Sequence, residues 1–216
     1  MSDQPKYNNQ NQPAAAESVL CSSLQDLLFT DFVKCCCDLD YSPLTRAGHP
    51  SRDEMIIAWV PLISEFYVTT EFTEGELYVP FFGEIISLNT KIIHISCLTQ
   101  VLKMSFSNKL ITELRKWGYN YPLNYETYKR DLITIRNDLV KDDCKLSGAI
   151  KRYNDDRQQK KDSGELAAIK EHYTNAICII ETFLNKELDL KTLTTFEFAN
   201  LYAQYVITDS KTNDKS

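Results

Sequence analysis

Three adjacent cysteines, Cys35, Cys36 and Cys37, are the most reactive side chains this sequence sets side by side. Thiolates hold zinc in a tetrahedron or act as nucleophiles, so such a triplet suggests a metal or redox centre. On a helix, however, neighbouring side chains point about 100° apart, and three in a row cannot converge on one ion. No second ligand pair stands at zinc-finger spacing and there is no CxxC; His49 and Cys97 would have to be recruited from afar. The triplet is therefore expected to be three small buried or half-buried thiols.

The three histidines, His49, His94 and His172, lie in no HExxH or HxH pattern and have no nucleophile beside them in sequence. The six glycines are scattered singly, so neither GxGxxG nor a Walker A loop can be built. Asp142 with Asp143, and Asp155 with Asp156, are neighbours on a solvated helix or its tip, whereas metal-dependent hydrolysis wants acids turned inward from several helices. No catalytic, metal-ligating or cofactor-binding residue is assigned.

Two groups could bind a partner. In Lys109, Arg115, Lys116, Trp117, Tyr119 and Tyr121, cations adjoin aromatics as in surfaces that stack single-stranded nucleic acid. The bland reading puts Trp117 and the tyrosines in the core with the cations solvated, and the net charge of −6 favours it. The second group is the tip of a helical hairpin, where Lys151, Arg152, Arg157, Lys160 and Lys161 form a candidate partner contact of interspersed charge.

The elements that must carry these residues are read from apolar spacing. Tyr128, Leu132, Ile135, Leu139, Leu146, Ala149 and Tyr153 form one seam, and Leu166, Ile169, Tyr173, Ala176, Ile180 and Phe183 another. Steps of three and four put each set on one stripe of a helix, which predicts a long antiparallel hairpin. Asp142 interrupts the first seam, as a register-setting polar site paired with Lys or Tyr across the hairpin.

Upstream, Ser22 with Gln25 predicts a first helix to about Asp38. Ser51 with Glu54 opens a second helix, bent at Pro61. A long helix follows from about Glu76, carrying Ile85, Leu88, Ile92, Ile95 and Leu102. A shorter one starts after Ser107 and stops at Gly118, and Asn124 caps the hairpin. Thr194 and Glu197 cap one last short helix.

The fold class is thus all-α, an irregular bundle of six or seven helices with a long C-terminal antiparallel helical hairpin. Residues 1–17 read as a polar arm and 209–216 as a polar tail. Between them, 18–208 is one domain: N-terminal helices over 18–120, the hairpin over 121–188 and a short helix over 189–208. With 216 residues, 43% of them hydrophobic, the chain can bury a core without disulfides. Seven cysteines without scaffold spacing fit a reducing compartment, and no secretory leader is evident. The longest apolar stretch, Met55 to Val68, is too short to span a bilayer.

The expected function is a non-enzymatic structural or protein-interaction component, such as a cytoplasmic assembly subunit or a part of a phage-like particle. Protein or a second copy is the expected partner, with no membrane and no cofactor. A nucleic-acid regulator using the Lys116 and Trp117 patch is the first alternative, and a metal-dependent helical hydrolase the second.

Overall fold

The computed structural model describes residues 18–70 and 81–213, with the side chains of 210–213 excepted. The arm over 1–17, the expected helix start near Glu76 and the last three residues lie outside the described residues. The fold is all-α. Among the described residues there are seven α-helices and one two-stranded sheet. The strands are β1 (Val19–Leu20) and β2 (Thr45–Ala47), paired antiparallel.

The first expected helix is largely replaced. Helix α1 spans only Phe29–Val33, and a wider π turn, Lys34–Asp38, continues it until Leu39 stops it at φ 58°. The cause is competition for backbone groups. The Leu27 carbonyl, which an earlier helix would use internally, accepts from the Thr195 amide (2.7 Å) and hydroxyl (2.8 Å). The Phe29 amide donates to the Leu193 carbonyl at 2.9 Å. Leu24 and Leu27 are buried all the same, but as anchors of a loop.

Helix α2 (Arg52–Thr70) begins at the expected capping box: Glu54 accepts from the Ser51 amide at 2.7 Å, and Ser51 Oγ accepts from the Glu54 amide at 3.2 Å. Pro61 lies within it. Helix α3 (Phe82–Met104) and α4 (Asn108–Lys116) follow, and Gly118 takes the left-handed φ of 87° that ends α4. Helix α5 (Tyr128–Asp162) then runs for 35 residues, a two-residue turn leads to α6 (Glu165–Leu184), and α7 (Thr195–Asn213) closes the chain. Helix α7 is longer than the short helix expected and runs through part of the expected tail, because neither Gly nor Pro interrupts it.

The core has two parts. In the larger, Phe29, Phe32, Trp59, Phe66, Tyr173 and Phe198 are wholly or almost wholly buried, with the Phe32 and Phe66 rings 4.4 Å apart. The smaller joins Ile95 and Leu102 of α3, Ile111 and Leu114 of α4, and Tyr128, Leu132, Ile135 and Leu139 of α5. The first half of the α5 seam therefore packs on α3, and only its second half meets α6. Ion pairs between Lys91 and Asp142 (2.7 Å) and between Glu84 and Arg152 (2.7 Å) run α3 antiparallel to α5.

Candidate functional site

The six residues of the cation and aromatic cluster do not form one surface. Tyr119 is buried and Trp117 half-buried, its ring 5.2 Å from that of His94. Lys116 is paired with Glu113 at 2.7 Å, Arg115 reaches the Pro122 carbonyl at 3.5 Å, and Lys109 is exposed on α4. Trp117, Tyr119 and Tyr121 instead line a groove of about 280 Å³ with Lys91, Asp138, Lys141, Asp142 and Lys145. Its charged groups are already engaged, three lysines on two aspartates. Tyr121 donates to Asp138 at 2.6 Å, Lys141 bonds Asp138 at 2.8 Å, and Lys145 bonds Asp142 at 3.2 Å.

Asp142 has a partner of the expected type, but Lys91 comes from α3 rather than from across the hairpin. Burial works against its charge, yet the hydrogen bonds and charges of Lys91 and Lys145 prevail and hold the carboxyl below its usual range.

At the hairpin, Lys151 is exposed, Arg152 pairs with Glu84, and Lys160 lies 3.4 Å from Asp156. Lys161 donates to the Asp38 carbonyl at 2.8 Å. Arg157 is the correction: it is buried, not at the tip surface, and its guanidinium turns inward. Helix α5 extends past Arg157 to Asp162, so Arg157 sits well before the turn on the buried stripe of Leu146 and Tyr153.

What Arg157 meets is the cysteine triplet. Its Nη2 donates to the Cys36 carbonyl and lies 3.7 Å from the Cys36 sulfur. The end of the π turn leaves that carbonyl available, because the Asp40 amide, its partner in an α register, turns back to the Lys34 carbonyl at 3.4 Å. All three thiols are buried, Cys36 completely, and none is in a disulfide. The Tyr173 hydroxyl lies 3.9 Å from the Cys36 sulfur. Close by, Trp59 Nε1 donates to the Tyr153 hydroxyl at 3.0 Å, which meets that of Tyr41 at 3.1 Å.

No carboxylate is paired with Arg157 among the described residues, and its Nε and Nη1 have no hydrogen-bond partner among them. A buried cation needs a counter-charge, and Cys36 is positioned to supply it. The Cys37 thiol donating to it, the Arg157 charge and the Tyr173 hydroxyl draw the Cys36 thiol down to about 6 against the effect of burial. Cys37 is pushed the other way, first by that hydrogen bond and then by burial. The arrangement is a sealed cysteine–guanidinium contact in which Cys36 is drawn toward its thiolate form. With Cys36 fully covered, it holds the π turn to α5 and offers no face to a substrate.

A different surface stands uncovered. Taking Ile95 as the point of α3 that faces α5, Ile93, Cys97 and Met104 lie within about 20° of the opposite pole; Ile86 shares that angle but is half-buried against the larger core. Ile93 is 56% exposed, Val101 beside it 50% and Met104 87%. The charged residues of α3, Glu84, Lys91 and Lys103, all lie on the half toward α5. The outer half, from Ile86 to Met104, carries none.

An 18-residue stretch of α3 reaches a mean hydropathy of 1.3 with only 28% of it buried, making α3 long and apolar enough to cross a membrane by length and composition. The sequence reading located the longest apolar stretch in α2 and missed this face. It followed the buried seven-residue repeat of α3 and left the second, opposite stripe aside. The missing signal was the lack of charge on the outer half of the helix, against Glu84, Lys91 and Lys103 on the inner half.

Among the described residues no three of His, Cys, Asp and Glu gather as metal ligands would. Compared with protein families, with characterised proteins and with solved structures, the chain matches none.

Proposed function

We propose that this chain is a non-enzymatic interaction component that docks protein on the outer face of α3. The observation that carries the reading is a helix apolar on both sides with one side left in solvent. A helix that is hydrophobic all round is ordinarily buried, in a core or in an assembly. Charge depletion over such a face is what the centre of a protein interface shows.

A bilayer is the less fitting occupant. Lys91 and Glu84 tie the inner half of α3 to Asp142 and Arg152 of α5, and α5 is densely charged along its other faces. Bringing that helix into hydrocarbon would cost several kcal/mol per charge, on the order of 2–3 each. The buried Cys36 and Arg157 contact fits a structural part rather than a reaction centre, because a nucleophile must touch its substrate.

The test is the native size of the chain in extract of the cells that produce it. Wild type is expected to elute well above its monomer mass, and Ile93→Glu with Val101→Glu should return it to monomer size without changing its melting temperature. Elution of wild type as a monomer would remove the reading.

A further inference from the structure

We propose that the groove between α3, α5 and the turn after α4 binds a small aromatic carboxylate, with its anion against Lys91, Lys141 and Lys145 and its ring against Trp117 and Tyr121. What this groove has left to offer is donors. Both oxygens of Asp138 are taken, by Lys141 and Tyr121, and both of Asp142, by Lys145 and Lys91. An ammonium carries three N–H groups and each lysine uses one on these carboxylates, so each keeps two for a further acceptor.

The charge points the same way. Three ammoniums stand against two carboxylates, which leaves one positive charge in excess within a chain of net charge −6. A singly charged anion balances the groove, whereas a cation would meet carboxylates that are already occupied. Tyr119, only 6% exposed, lines the groove, and its hydroxyl has no hydrogen-bond partner among the described residues. Burial first, and then the charges of Asp142 and Asp138, push that hydroxyl up to about 12, so at neutral pH it is one more donor lacking an acceptor.

The walls suit a flat group. Trp117 and Tyr121 are half-buried and give aromatic surface beside the lysines, and Gly118 between Trp117 and Tyr119 adds no side chain to fill the space. The volume of about 280 Å³ lies at the small end of ligand pockets and has room for one ring with its carboxylate. Lys141 and Lys145 are largely exposed, so salt screens their attraction. A ligand of this size is expected to bind with a Kd of roughly 0.1–1 mM at low ionic strength.

The purified full-length chain is titrated with benzoate, with acetate in competition, and with benzyl alcohol, and followed by tryptophan fluorescence. Of its two tryptophans Trp59 is wholly buried in the core, so the change reports Trp117. Saturation-transfer NMR of the ligand is the second readout. Benzoate should saturate. Acetate, which lacks the ring, should bind more weakly by about fivefold or more, and benzyl alcohol, which lacks the charge, should not saturate.

Lys145→Gln removes the excess charge and should weaken benzoate by about threefold, with Lys141→Gln as the second variant should the first alter the melting temperature. Asp138→Asn keeps the shape of the side chain and raises the excess to two charges, so benzoate should bind severalfold more tightly. A residue that only shaped the groove would lose binding on the same substitution.

The inference is overturned if neither readout shows benzoate saturating, if benzyl alcohol binds as well as benzoate, or if Asp138→Asn weakens binding. A short oligothymidylate that binds more tightly than benzoate and is displaced by it would overturn it in favour of nucleic acid.

Discussion

Replacing Arg157 with alanine is expected to destabilise the chain by about 3–5 kcal/mol in a urea melt, the cost of breaking a buried charge pair. The substitution removes the donor to the Cys36 carbonyl, withdraws the counter-charge of the thiolate and empties the space between the π turn and α5. Arg157→Met keeps most of the volume and should lose less, which separates packing from charge. Combining Arg157→Met with Cys36→Ala should cost less than the sum of the two, by about 1–3 kcal/mol, because each single variant strands the other group. Strict additivity would show that the sulfur and the guanidinium do not interact.

The same pair fixes a pH dependence. Cys36 titrates lower in the folded chain than in the unfolded one, where a free thiol lies near 8.5, so the folded state binds fewer protons between the two values. Its contribution is complete above the unfolded value and is lost as pH falls through about 6. Stability should therefore climb between pH 6 and about 8, above which the raised Cys35 and Cys37 work in the opposite direction, and Cys36→Ala should remove that climb.

The second large effect is expected at Tyr153. Its hydroxyl accepts from the Trp59 indole and meets Tyr41, so Tyr153→Phe leaves a buried N–H with no acceptor and should cost about 1–3 kcal/mol. Tyr41→Phe should cost less, since the Trp59 and Tyr153 bond survives. Adding Trp59→Phe to Tyr153→Phe should recover the part due to the orphaned indole; a double variant as unstable as the two losses added would contradict that assignment.

The all-α fold was legible because apolar spacing reports a helix wherever one face packs. The capping box at Ser51 and the left-handed stop at Gly118 are local and survive in the structure. What spacing cannot report is which neighbour a stripe meets. The seam of α5 is one pattern in the sequence but divides between α3 and α6, and Asp142 found its lysine on α3.

The segment before Phe29 was misjudged for a related reason, because its backbone groups are claimed by residues 193–195, far along the chain. Arg157 looked solvated because charge is normally outside. Its burial depends on a thiol 121 positions earlier, a pairing no local pattern announces. The outer stripe of α3 was present in the sequence all along, hidden because one apolar repeat was enough to justify the helix.

The most direct measurement of the account is the rate at which maleimide labels Cys97, taken relative to the exposed thiols Cys144 on α5 and Cys178 on α6. Dilute chain should label at all three. In native extract Cys97 of the wild type should be protected severalfold while Cys144 and Cys178 keep their rates, and Ile93→Glu should abolish the protection. Relative rates that are the same in the purified chain and in native extract would contradict a covered α3 face.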